Sequence, residues 1–270
     1  METKSLAAVL KAAVLAGLLG GFVAAGFHWI FTEPLIDRAV EMEQHSHTSP
    51  AVSPEEPAVS RPVQKLGLFI GFLLYGGAWG LLFGLLAYAI RPWFTEIDYG
   101  KQGFFLYGGA WGLLFGLLAY AIRPWFAEID YGKQGLFLAA LLGWAVAIFP
   151  LLKYPANPPG VGELETIGIR QQLFLGFIAL SLIGTVVALA IERRLRRTDR
   201  LARAGVMIIY AVCLAMLFLA FPSNPDPVRL PPGLVGEFRF LSLLGQLVLW
   251  TAMGGMFWWL CRKVSRAAPA

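Results

Sequence analysis

All three histidines of the 270-residue chain fall in one early stretch, FHWIFTEPLIDRAVEMEQHSH over residues 27–47, interleaved with acids. Glu33, Asp37, Glu41 and His45 recur every four residues, and Glu43 with His47 forms a second pair at the same spacing. On a helix that spacing places an acidic stripe ending in imidazole on one face; in an extended chain Glu41, Glu43, His45 and His47 share one side. Either arrangement sets carboxylate oxygens beside imidazole nitrogens, the mixed donor set that suits Co²⁺, Ni²⁺ or Zn²⁺. His28 stands apart, at the end of an apolar run beside Trp29. There an interfacial histidine reaching for water and a deep nitrogen ligand are both open readings. The opposing positions Leu35, Ile36, Ala39, Val40 and Met42 are apolar, so the segment also reads as an amphipathic helix at a membrane surface with a solvated polar side.

The elements that must position these residues are membrane helices. Hydrophobic residues make up 57% of the chain and charged ones 14%, with a mean hydropathy of +0.64, far from the balance of a soluble domain. Seven uncharged runs are long enough to cross a hydrocarbon layer of roughly 30 Å. They are residues 12–32, 66–90, 102–122, 134–152, 171–191, 204–225 and 240–261. The first has Lys4 and Lys11 ahead of it and no small-residue cleavage site after it, and is expected to be a retained span rather than a leader. Cys213 and Cys261 fall in separate runs, which argues against a disulfide framework.

One run exists twice. Residues 72–103 are repeated as residues 104–135, with only Leu73→Phe105 and Thr95→Ala127 changed. Duplication of a single span is an odd insertion, and it sets the side of the membrane that everything before it faces. The net charge of +5 is concentrated in residues 192–203, where six arginines separate two runs. That loop is expected on the cytoplasmic side, held by the positive-inside bias and anionic lipid. The C-terminal Arg262, Lys263 and Arg266 follow it, and the loops 153–170 and 222–239 then face outside. The tally of basic residues fits both a seven-span frame and a six-span frame with one copy left out. Lys4 and Lys11 before the first run, and the excess of acids in residues 32–65, favour six. Against this, every repeat run is apolar enough to insert, and the loops 91–103 and 123–135 are charge-balanced and suit either side. Seven helical runs with one repeat copy unconventionally placed are therefore expected.

Glycines recur at i+4 as Gly76, Gly80 and Gly84, again as Gly108, Gly112 and Gly116, and in the first run as Gly17 and Gly21. Such ridges let helices approach closely in lipid, either within one bundle or against a partner. Residues 46–61, rich in Pro, Ser, Ala and Glu, read as a flexible linker. Pro155-Ala156-Asn157-Pro158 and Pro222-Ser223-Asn224-Pro225 each follow a run. Prolines there stop helices, and the carbonyl and amide oxygens, with Glu163, Glu165 and Asp226, could also line a cation vestibule. No nucleotide loop, HExxH zinc motif or Gly-x-Ser-x-Gly elbow occurs, so no enzyme is suggested, and the charge distribution excludes nucleic acid as a partner. The fold class is an all-α integral membrane protein. It is a polytopic bundle of about seven hydrophobic helices, a six-span core plus one duplicated helix, in one transmembrane domain over residues 1–270 with an extramembrane acidic and histidine loop at 33–65.

Four segments carry a family resemblance: FHWIFTEPLIDRA (27–39), LLKYPANPPGVGE (151–163), FPSNPDP (221–227) and FRFLSLLGQLVLW (238–250). In their order and placement the chain resembles the probable cobalt transporter subunit CbtA family. The resemblance implies a subunit of a cobalt uptake system serving cobalamin synthesis, in the bacterial inner membrane. It also implies a small single-span partner with a His-rich C-terminal motif, Co²⁺ as cargo, surrounding membrane lipid and no cofactor. His28, Glu33 and Asp37 match the family's segment; Glu41, His45 and His47 extend the candidate ligand set beyond it. The chain departs from the family in its extra repeat, which bears on topology more than on substrate. Two rival functions stay open: a non-transporting scaffold or assembly factor that uses the glycine ridges to bind partner helices, and a transporter of another divalent cation such as nickel.

Overall fold

The computed structural model describes residues 6–46, 59–89, 131–159, 161–195, 200–228 and 230–266. These are helical throughout apart from short loops: α1 (Leu6–Phe27), a π-helical turn (His28–Thr32), α2 (Glu33–Ser46), α3 (Arg61–Ala89), α4 (Tyr131–Leu142), a second π-helical stretch (Gly143–Ile148), α5 (Phe149–Lys153), a 3₁₀ turn (Leu164–Thr166), α6 (Ile167–Leu195), α7 (Arg200–Ala220) and α8 (Pro232–Arg266). Among the described residues six helical stretches are long and apolar enough to cross a membrane: Leu6–Met42, Arg61–Ala89, Lys133–Lys153, Ile167–Glu192, Leu201–Ala220 and Pro232–Cys261. The seventh expected run, residues 102–122, lies outside the described residues, as do Gly108, Gly112 and Gly116.

Both π segments have the same local cause. Pro34 and Pro150 lack an N–H, and their rings would strike the carbonyl four residues back in a regular α-helix. In each case the residue before the proline bonds five residues back instead: Glu33 N–H to the His28 carbonyl, and Phe149 N–H to the Trp144 carbonyl. The widened turn lets the helix run on through the proline. α1, the π turn and α2 therefore form one continuous helix, and Glu33–Ser46 is not loop but an extension of the first span.

The centre is built on glycine. A Cβ added to Gly17 of α1 would strike the Gly76 carbonyl oxygen and come within 2.8 Å of the Gly80 Cα on α3; one at Gly76 would come within 2.9 Å of the Gly21 Cα. In lipid no hydrophobic force separates helix from solvent, and close backbone approach of this kind supplies dispersion contacts instead. The ridge of the first repeat copy is thus spent inside the chain. α1 and α3 run antiparallel, since Gly21 faces Phe72 while Ala13 faces Gly80 and Gly84. On its other side α1 packs on α8, with Gly20 against Leu249 and Met253, and α8 in turn packs on α4 and the π-helical stretch after it, with Gly135 against Phe257 and Gly143 against Trp250. Phe83, Leu86, Leu138, Leu142, Leu249 and Phe257 are fully buried where these four helices meet. α6 and α7 join through Phe149, Phe177 and Leu214, and through the Tyr210 hydroxyl, which meets Thr185 Oγ1 at 2.9 Å and accepts from Trp144 Nε1 at 3.3 Å.

These pairings settle the orientation of the N-terminal half relative to the C-terminal half. α8 is antiparallel to both α1 and α4, so α1 and α4 run the same way and α3 runs against them. α3 therefore ends, and α4 begins, at the end of the bundle that holds the start of α1, the arginine-bearing ends of α6 and α7, and the end of α8. Ser46, Arg61 and the two Pro-x-Asn-Pro loops lie at the other end. Ala156 of the first such loop packs on the cluster of Leu35 and Ala39 from α2 with Leu234 and Phe238 from α8. The described helices alternate as a six-span frame, and residues 28–46 share an end with both Pro-x-Asn-Pro loops.

Candidate metal-handling site at the end of the first span

The acidic stripe forms as a helical stripe and is graded in depth. The Glu33 side chain is 5% exposed, that of Asp37 39%, and Glu41 is exposed. The apolar face opposite is covered by protein: Leu35 and Ala39 are buried against α8, while Met42 is exposed. His45 belongs to the last turn of α2, but its side chain, and all of His47, lie outside the described residues.

Arg61 and Lys65 neutralise the two inner acids. Arg61 Nη2 lies 2.8 Å from Glu33 Oε2 and 2.7 Å from Asp37 Oδ1, and Arg61 Nε donates to the same Asp37 oxygen at 3.0 Å. Lys65 Nζ donates to Asp37 Oδ2 at 2.8 Å and sits 3.8 Å from Glu33 Oε2. A carboxylate as buried as Glu33 must be paired or protonated, and here it is paired. Spacing within residues 27–47 did not reveal these partners, because they come from the next helix. One signal was available: Arg61 and Lys65 are themselves i, i+4, and they open the second apolar run as Glu33 and Asp37 close the first.

One turn below, His28 is buried. Its ring stacks on Phe72 of α3, centroids 4.6 Å apart and planes at 20°, and its Nδ1 meets Thr32 Oγ1 at 2.9 Å. The Nε2 edge faces Gly245 of α8, where a Cβ would collide with the ring. Nε2 makes no hydrogen bond to another described residue. Thr32 accepts the Nδ1 proton in one tautomer, and Nε2 then presents its lone pair. His28, Glu33 and Asp37 thus line one side of the first span, but they do not converge. Among the described residues no three His, Cys, Asp or Glu side chains form a metal cage. On α8, Gln246 Oε1 and Trp250 Nε1 are buried with no hydrogen-bond partner among the described residues.

The two Pro-x-Asn-Pro loops meet, but their amide oxygens are not turned to a cation. Asn157 Oδ1 accepts from Arg239 Nη2 at 2.8 Å, and Asn224 Oδ1 accepts from the Asp226 backbone N–H at 3.3 Å. Asp226, its side chain 1% exposed, lies 3.0 Å from Arg170 Nε, and Arg170 also donates to the Glu163 carbonyl. Gly162 takes φ +114° beneath that guanidinium, a backbone conformation and a proximity that exclude a side chain. Tyr154 donates its hydroxyl to the Pro222 carbonyl at 2.7 Å, and burial pushes the phenol pKa up, keeping it a donor. A cleft of about 240 Å³ between the loops is lined by Tyr154, Asn157, Arg170, Phe174 and Asn224. With both amide oxygens engaged and a guanidinium in its wall, the cleft does not have the character of a cation vestibule.

A family model described as "Probable cobalt transporter subunit (CbtA)" matches the chain over residues 6–111 and again over residues 101–262. The two matches overlap across the junction of the tandem copies. No curated protein and no solved structure matches the chain.

Proposed function

Since the chain belongs to the CbtA family of probable cobalt transporter subunits, we propose that it is the membrane subunit of a cobalt uptake system serving cobalamin synthesis in a bacterial inner membrane. It works with a small single-span, His-rich partner. The observation that carries this reading is the first span's end, where a buried carboxylate, Glu33, stands one turn above an imidazole whose Nε2 is turned into the bundle. Ionisable groups at that depth are costly, and in membrane proteins they mark ion routes. With the arginine-rich end cytoplasmic by the positive-inside bias, this site faces outward, as capture requires. Glu33 and Asp37 supply the first oxygens, His28 the deeper nitrogen, and Gln246 Oε1 a further acceptor inside the bundle. The scaffold alternative loses part of its support, because Gly17, Gly21, Gly76 and Gly80 are engaged with one another. The deciding measurement is uptake of labelled cobalt by cells expressing the chain with its partner. Uptake above empty cells, lost in the His28→Ala, Glu33→Ala double variant, is expected; no gain, or a variant equal to wild type, removes the reading.

A further inference from the structure

We propose that Arg61 and Lys65 are tethered counter-cations that occupy the carboxylate pair, and that a divalent cation enters by displacing them. The inference rests on the metal-handling reading of Glu33 and Asp37 and names what controls that site. Three of the four carboxylate oxygens are in use: Glu33 Oε2, Asp37 Oδ1 and Asp37 Oδ2. The Arg61 Nη2 atom, within 2.8 Å of one carboxylate and 2.7 Å of the other, sits where an ion bridging the pair would sit. An ion that bridges both carboxylates must therefore take the place of Arg61.

The charges make the exchange balanced. Two carboxylates against one guanidinium and one ammonium sum to zero, and so do two carboxylates against one divalent ion. The buried Glu33 is never left unpaired, which would be the costly state. A monovalent ion can replace only one of the two tethered charges, so the arrangement selects for divalent cargo by charge count. The other charged groups nearby on α2, Arg38 and Glu41, are exposed and screened by water. The acids belong to the first span and the cations to the second, so filling and emptying the site also breaks and remakes the ion pairs between α2 and α3. Return of Arg61 and Lys65 then helps release the ion.

A structural role and a competing role predict opposite signs. Co²⁺ titration of the purified full-length chain by calorimetry is expected to show tighter binding in Arg61→Gln/Lys65→Gln, by about tenfold, the usual scale for coupling between two occupants. Glu33→Gln is expected to lose binding. Should the double variant fail to fold, Lys65→Gln alone, which keeps the Arg61 bridge, is expected to shift affinity in the same direction by less. Unchanged or weaker binding in either folded variant overturns the proposal, as does wild-type protein and variant alike binding no Co²⁺. Tighter binding in the variants alongside no cobalt uptake by wild-type cells would overturn the transport reading and leave the exchange standing.

Discussion

Gly245 of α8 leaves the space that the imidazole of His28 fills. Phe72 covers a face of the same ring by stacking, so α8 at the Nε2 edge and α3 at the face together confine an imidazole carried by the first π-helical turn. In a close-packed interior such a slot has no slack.

Gly245→Ala should evict the ring. The expected cost is about 1–3 kcal/mol of stability, from overpacking against a buried side chain. Gly236→Ala on the same helix, where a Cβ meets nothing within 4 Å, should be neutral or slightly stabilising. Thermal unfolding in detergent compares the two, and equal melting temperatures would show that the His28 ring is not confined by α8.

The α1–α3 contact predicts a second contrast. Gly76→Ala should lower stability by about 2 kcal/mol or more, since the added methyl meets backbone that cannot rotate away. Gly71→Ala, five residues earlier on the same helix and facing open space, should not. Denaturation in increasing detergent is the measurement; similar midpoints for both variants would mean that the two glycine ridges do not touch.

The third expectation is topological. In a background with Cys213 and Cys261 replaced, cysteines at Ser60 and Ser223 should react with an impermeant reagent from one side of the membrane, and a cysteine at Ala202 only from the other. Because α3 ends where α4 begins, excision of residues 104–135 should leave that pattern unchanged. Labelling of Ser60→Cys from the same side as Ala202→Cys would contradict the six-span alternation.

What could be read from the chain alone was local. Run lengths marked the spans, the arginines of residues 193–203 marked one side, and the i+4 spacing of Glu33, Asp37 and Glu41 matches the helical stripe that forms. Each depends on residues within a turn or a single span of one another. The partners of that stripe did not show, because Arg61 lies 28 and 24 residues from the acids it joins, and only the antiparallel packing of α1 on α3 brings them level. The same holds for Gly245, whose meaning depends on which side chain faces it. Whether Asn157 and Asn224 only follow helix-stopping prolines or also offer oxygens to a cation was open on sequence for a related reason: their partners, Arg239 and the Asp226 amide, are fixed by the folded loops.

The π turn ahead of Pro34 fixes more than continuity. Each residue of an α-helix advances the chain by about 100°, so the one extra residue taken up between His28 and Thr32 resets the angular phase of all that follows. Leu35 and Ala39 come to face α8, and Glu33 and Asp37 come to face Arg61 and Lys65. The turn acts as a phase shifter between two halves of one helix. Removing a single residue from it would swing the carboxylates about a quarter of a circle away from their cations, with the number of spans unchanged.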